Sequence, residues 1–143
     1  MARVKIDFPE KIIARLKIPV RITDINYGNH LGNDALVSIL HEARVQWLQL
    51  NSYTELRVEH VGLIMSDLAV EYKNEAFYGD ELDIAIAIGD ISTVSFELYY
   101  RVTNQENKEI AKAKTGMVCY DYNRKRIVPL TEDVISRLQM NQI

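Results

Sequence analysis

The chain is short of several things, and each shortage excludes something. It has one cysteine, Cys119, in 143 residues, so neither an internal disulfide nor a cysteine-built metal cluster can form. The apolar neighbours Met117, Val118 and Tyr120 mark Cys119 as a small buried strand residue, not a nucleophile. Long apolar runs are missing too: none approaches the roughly 18–20 residues that a membrane-crossing helix needs. The opening stretch, Met1 to Pro9, carries charges throughout and has no apolar core of signal-peptide length, so the expectation is a cytoplasmic protein. Neither sign of charge dominates. Lys and Arg number 17 against 20 Asp and Glu, a formal net charge of −3, and without a basic stripe no nucleic-acid partner is expected. No H-x-x-x-H, cysteine pair or acidic cluster suggests a metal site, and no cofactor is expected. With no G-x-S-x-G, a serine-hydrolase mechanism has no support.

What is present is ordinary globular composition, 48% hydrophobic and 26% charged, in a length suited to one core. No linker or internal repeat divides it, so residues 1–143 read as one domain. From Ile12 to Ile22 apolar residues alternate with polar ones, the period of a strand, and Pro19 removes a ladder donor, which places that strand at an edge or bulge. A polar, glycine-containing stretch follows, Thr23 to Asn33. Leu36, Ile39, Leu40, Ala43, Trp47 and Leu50 then recur at three- and four-residue steps, predicting one helix from Asp34 to about Leu50, with Asn33 as N-cap and Asp34 complementing the dipole. Beyond it, alternation returns around Leu68–Tyr72, Leu82–Ile88, Val94–Val102 and Glu109–Tyr122. The intervening turns are expected at Tyr78-Gly79-Asp80, Gly89-Asp90, Thr103–Lys108 and Asn123-Arg124. Glu132 to Met140 reads as a short surface helix. One strand, one long helix and about four consecutive strands indicate α+β with an antiparallel sheet. Only one helix is long enough to cover that sheet, so the sheet must wrap around it, the hotdog arrangement.

The segment Arg21-Ile22-Thr23-Asp24-Ile25-Asn26-Tyr27-Gly28-Asn29-His30-Leu31-Gly32-Asn33, with His41-Glu42-Ala43-Arg44 on the helix, resembles the 4-hydroxybenzoyl-CoA thioesterase-like branch of the hotdog superfamily. There an acidic D-x-D or D-x-N element ends the first strand, a turn carries a histidine, and the central helix carries an E-x-A-R-like segment. Tyr72, the Tyr78-Gly79-Asp80 turn and the strand ending near Asp121 are similar as well. The resemblance runs from about Ile18 to Pro129 and implies hydrolysis of an acyl-CoA or acyl-carrier-protein thioester. It also implies an edge-to-edge homodimer, or a homotetramer, to which Met65, Ser66 and Asp67 would contribute across the boundary. One departure is chemical: Asn26 stands where many members have their catalytic carboxylate.

Thioester hydrolysis needs a polarised carbonyl and an activated water held together. Backbone N–H groups at the helix start, around Leu31 to Asn33, suit the first task. Gly32 there is either an opening for the acyl group or simply a turn glycine, and Asn33 is taken with it as substrate-binding. Asp24, Asn26 and His30 are the catalytic candidates. Asp24 either orients His30, acts as base, or caps its own turn. His30 either handles the proton or makes a structural bond to backbone. Asn26 can donate and accept but cannot be a base at neutral pH. Glu42 is either an alternative carboxylate or the partner of a nearby cation. Arg124, Lys125 and Arg126 are either a solvated turn or a contact for carrier phosphates. Two other activities compete with hydrolysis: the enoyl-thioester hydratase of the hotdog superfamily, and a non-catalytic acyl-CoA-binding module.

Overall fold

In the computed structural model, residues 3–143 are described; Met1 and Ala2, the first two of the charged N-terminal stretch, lie outside them. Six strands and two helices follow in the order β1 (Ala14–Pro19), α1 (Asn33–Leu50), β2 (Gly62–Tyr72), β3 (Glu81–Ile91), β4 (Ser95–Thr103), β5 (Glu109–Asp121), β6 (Arg126–Ile127) and α2 (Glu132–Leu138). The strands make one antiparallel sheet in the order β1-β3-β4-β5-β2, with β6 folded back on β5. Helix α1 lies against its concave face. Leu36, Ile39, Leu40, Ala43, Trp47 and Leu48 are buried there, and Trp47 meets Phe96 of β4 edge-on at 6.3 Å between ring centroids. This is the expected hotdog arrangement.

Several boundaries differ from the sequence reading, each for a local reason. β1 is shorter than Ile12–Ile22 because the chain turns out of the sheet at Arg21. The Asp24 carboxylate accepts the Arg21 backbone N–H at 2.8 Å and tightens Ile22–Asp24 into a 3-10 turn. Ile22, counted with the buried face, is exposed. Pro19 sits on an edge strand as expected, opposite Glu81. The N-cap of α1 is Gly32, not Asn33: Asn33 is already helical, and no side chain caps the end. At the far end Leu48 is buried and Leu50 exposed. The turn expected at Gly89-Asp90 is absent, since β3 runs through both residues to Ile91. The register slips there, between Ile88 and Ile91, and the Tyr99 ring lies against Gly89 where a Cβ would otherwise be. The reversal comes at Ser92–Ser95, closed by Ser92 N–H to Ser95 O at 2.8 Å. α2 starts at Glu132 as expected, with the Thr131 side chain before it accepting the Val134 N–H as N-cap, and it buries Val134 and Leu138.

Arg44, buried on α1, donates to Glu55 at 3.0 Å and to the Tyr100 hydroxyl at 3.1 Å, and Tyr100 continues to Thr115 Oγ1 at 2.9 Å. A buried guanidinium survives only when paired in this way. The chain tying the helix to β4, β5 and the loop after α1 is polar at a point where the rest of the core is not. At the margin of the sheet, β2 is the other edge strand, and α1 does not fully cover it: Met65, Leu68 and Tyr72 are each at least a third exposed. Cys119 is buried as expected, which pushes its thiol up from its ordinary value.

Candidate active site

The polar stretch between β1 and α1 folds back on itself. Ile25 bridges to Leu31, Asn26 N–H reaches His30 O at 3.0 Å, and Leu31 N–H reaches Ala76 O at 2.7 Å, tying the stretch to the loop after β2. His30 therefore stands in a cleft of about 230 Å³ with Gly32, Asn33, Leu36, Tyr72, Glu75 and Ala76 among its walls. A second, shallower cleft of about 380 Å³ on the other side holds Asp24, Asn26, Tyr27 and Asp34, and Gly32 borders both. The two clefts meet at the start of α1.

The unpartnered N–H groups at the helix start sit two residues later in the chain than the sequence alone indicated. Leu31 N–H is spent on Ala76 O, and Gly32 N–H on Asp24 O at 2.9 Å. The open donors of the helix end are those of Asn33, Asp34 and Ala35, the first turn of α1, which by helix geometry have no intrahelical acceptor. Gly32 has φ −70° and ψ 149°, extended backbone that any residue adopts, so the turn itself does not require glycine. A Cβ there would meet Asp34 Oδ1 at 2.8 Å and stand 3.7 Å from both Asn26 Cβ and Asp24 O. The missing side chain keeps the space between Asn26 and the helix open.

The three catalytic candidates are brought to one loop but not into one hydrogen-bonded chain. Asp24 is buried and faces Arg21: besides the backbone N–H, its oxygens take the guanidinium at 3.3 and 3.4 Å. No bond joins Asp24 to His30. Asn26 Oδ1 accepts Gly28 N–H at 2.9 Å and His30 N–H at 3.4 Å, an Asx-type turn that leaves only the amide Nδ2 to donate elsewhere. His30 Nδ1 lies 3.3 Å from Leu31 O, and its Nε2 lies 3.9 Å from Glu75 Oε1. The backbone carbonyl favours the tautomer with hydrogen on Nδ1, leaving the Nε2 lone pair free. Glu42 takes a bond from Gln46 at 2.9 Å and makes no ion pair among the described residues. His41 is engaged by Glu55 at 2.5 Å.

Two participants were not assigned roles from sequence. The Tyr72 hydroxyl donates to Asn33 O at 2.9 Å, and burial together with Asp34 pushes its phenol up. Tyr72 is thus a wall that pins the first residue of α1. Glu75 lies in an irregular stretch, Lys73 to Ala76, with no pattern to single it out. The Leu31–Ala76 bond holds that stretch beside His30.

The family model described as the thioesterase-like superfamily matches residues 20–138, from the end of β1 through α2. The chain belongs to the thioesterase-like superfamily. Within it, the chain is 24% identical over 125 residues to the acyl-CoA thioester hydrolase YbgC of Escherichia coli O157:H7, covering 85% of this chain and 93% of that one. It is 28% identical over 102 residues to the 1,4-dihydroxy-2-naphthoyl-CoA hydrolase of Microcystis aeruginosa, covering 69% and 73%. A thioesterase from Thermus thermophilus, solved in complex with coenzyme A and Zn, superimposes with a TM-score of 0.78 at 23% identity over 90% of this chain and 98% of that one. That similarity confirms the hotdog fold. Among the described residues no helix is long and apolar enough to cross a membrane.

Proposed function

We propose that the chain is an acyl-CoA thioester hydrolase whose chemistry takes place at the amino end of α1. The observation that carries this is the meeting at Gly32 of two clefts, one walled by His30 and Asn33 and the other by Asn26, Asp34 and Ala35, with no side chain at Gly32 to fill the space between them. The thioester carbonyl lies over Gly32, its oxygen toward the N–H groups of Asn33 to Ala35 and the Asn26 amide. His30 Nε2 takes a proton from water, and the resulting hydroxide adds to the acyl carbon. The negative charge that develops on oxygen is met by the helix end and its dipole. Glu75 Oε1 stands 3.9 Å from His30 Nε2, on the same cleft. Collapse of the tetrahedral intermediate breaks the carbon–sulfur bond, and the imidazolium returns its proton to the leaving thiolate. Products are the free acid and the free thiol. Asp24 acts on this centre through structure: pinned by Arg21, its carbonyl oxygen holds Gly32 in place. Asn26, at the family's usual acidic position, donates instead of abstracting.

The working form in this reading is a homodimer, or a dimer of dimers, paired through β2. Support comes from a free strand edge and the uncovered apolar side chains Met65, Leu68 and Tyr72 beside it. Residence in the cytoplasm goes with this reading and with a single cysteine that has no pairing partner.

The deciding experiment measures thiol release from short, long and aromatic acyl-CoAs with wild type and His30→Ala. Hydrolysis of a saturated substrate, lost in the variant, is the expected result. A hydratase would leave saturated thioesters intact and hydrate an enoyl-CoA. Saturable binding with no turnover of any substrate would leave only an acyl-binding module.

A further inference from the structure

Tyr72 closes β2, and its hydroxyl crosses to the start of α1, donating to Asn33 O at 2.9 Å over a separation of 39 residues. The fold has no need of this bond. A carbonyl at the start of a helix is not one of the orphaned acceptors, which lie at the other end. Asn33 O already stands in place for the N–H of Val37, one turn on along α1. The hydroxyl is therefore a second donor to an oxygen with two lone pairs. Nor does Tyr72 require a partner within the protein, because it is 43% exposed and water reaches it. What the bond changes is the peptide that receives it.

Asn33 C=O and Asp34 N–H are the two poles of one planar trans amide and point in opposite directions. The carbonyl points along α1, and the N–H points back out of the helix end, where the thioester oxygen is placed. Donation to the carbonyl draws electron density from the amide and makes its N–H more positive, the mutual strengthening of hydrogen bonds in a chain. The other two open donors lack this support. Asn33 N–H shares its unit with Gly32 O, which takes Leu36 N–H at 3.0 Å, and Ala35 N–H shares its unit with Asp34 O. Among the described residues no side chain donates to either of those oxygens, whereas Tyr72 donates to Asn33 O. Burial and the Asp34 carboxylate push the Tyr72 phenol up, so it stays the protonated donor.

We infer that the Tyr72 hydroxyl is a positioning group for thioester hydrolysis: it orients and polarises the Asn33–Asp34 peptide, so that Asp34 N–H is the leading donor to the oxyanion of the tetrahedral intermediate. The inference rests on the proposed hydrolase reading and singles out one N–H and one side chain within it. Both bonds strengthen as charge builds on the oxygen, so the effect falls on kcat and not on substrate binding. A direct oxyanion donor is worth about 10²–10³-fold in rate. A neighbour in a hydrogen-bonded chain adds about 10–30% to a bond, which sets the contribution of the hydroxyl at about two- to eightfold.

Tyr72→Phe removes the hydroxyl and keeps the ring that walls the cleft. Thiol release should show kcat lower by about two- to eightfold, with KM unchanged. The second readout is the carbonyl itself. A ketone analogue of the acyl-CoA, with methylene in place of sulfur and an isotope label at the carbonyl, is bound to each protein, and its infrared stretch is compared with that in water. The shift to lower frequency seen in wild type should shrink by about 10–30% in Tyr72→Phe. It should grow when Tyr72 is replaced by 3-fluorotyrosine, a more acidic phenol, at a pH where that phenol stays protonated. A bond that only supported folding would not track phenol acidity. Unchanged kcat in Tyr72→Phe, or a stretch that ignores both replacements, overturns the inference. So does a Tyr72→Phe chain that fails to fold while the fluorinated protein keeps the wild-type frequency. If the stretch responds as described while no thioester is cleaved, the polarised peptide stands and the hydrolase reading fails. A carbonyl that keeps its aqueous frequency on wild type refutes its placement at the helix end, and the inference with it.

Discussion

Replacing Gly32 with alanine separates chemistry from folding. The backbone at Gly32 is extended, so alanine meets no conformational penalty. The new methyl contacts one atom closely, Asp34 Oδ1 at 2.8 Å, the mobile end of a short side chain on the exposed first turn of α1. Alanine is a poorer N-cap than glycine, by about 0.5–1 kcal/mol. Against this, the unfolded chain loses about 0.4–1 kcal/mol of freedom. Stability should change by about 1 kcal/mol or less, a shift of about 5 °C or less in Tm for a chain of this length. Activity should respond differently. The methyl occupies the passage between Asn26 and the helix, holding an acyl carbonyl off the N–H groups of Asn33 to Ala35. Loss of one well-placed donor costs about 10²–10³-fold in rate, and a displacement of the reacting carbon by about 1 Å is worth a similar factor. Thiol release from the best acyl-CoA is measured beside thermal unfolding of the same preparation. A Gly32→Ala enzyme that melts normally and retains full kcat/KM refutes the placement of the carbonyl over Gly32. One that fails to fold refutes the claim that this glycine is not required by the turn.

Four further outcomes follow from the geometry. His30→Ala should lower kcat by about 10²-fold or more with Tm nearly unchanged, whereas Asp24→Ala should cost about 1 kcal/mol of stability through its lost cap; the reverse pattern would exchange their roles. Tyr100→Phe strips a partner from both Arg44 and Thr115 and should destabilise by about 1–3 kcal/mol, read from denaturant midpoints; adding Thr115→Val should restore part of the loss. The Lys114 hydrogen bond holds the Glu97 carboxyl below its ordinary value, so its contribution is complete above the unfolded value of about 4.3 and is lost as pH falls through the lower folded value. Glu97→Gln should therefore flatten the acid limb of a Tm–pH curve below about pH 4.3, and a curve parallel to wild type would contradict this. Leu68→Asp, on the uncovered face of β2, should convert the proposed dimer to monomer in analytical ultracentrifugation; an unchanged sedimentation coefficient would move the interface elsewhere.

The periodicities carried most of the architecture because they express burial directly. Ala14, Leu16 and Ile18 alternate inward on β1, and Leu36, Ile39, Leu40, Ala43 and Trp47 share one helix face. A single long helix beside four successive strands leaves few ways to cover a sheet. Where the reading slipped, a side chain or a register change outweighed pattern. Asp24 pulled Ile22 out of the strand, and the slip after Ile88 carried β3 through Gly89, a residue that by itself signals a turn.

At the site, local chemistry was legible and distance was not. Asp24, Asn26 and His30 stood out in the chain because they crowd one short polar stretch before a helix. Which of them touch was decided by the fold: Asp24 turned to Arg21, Asn26 closed its own turn, and His30 was left facing Glu75, a residue 45 positions away. Nor do sequence neighbours reveal that Tyr72 pins Asn33 or that the N–H groups of Leu31 and Gly32 are already spent. Hydrophobic spacing encodes which way a residue faces along its own segment, whereas the partners of a polar group depend on loops closing over long separations, and only the folded chain settles those.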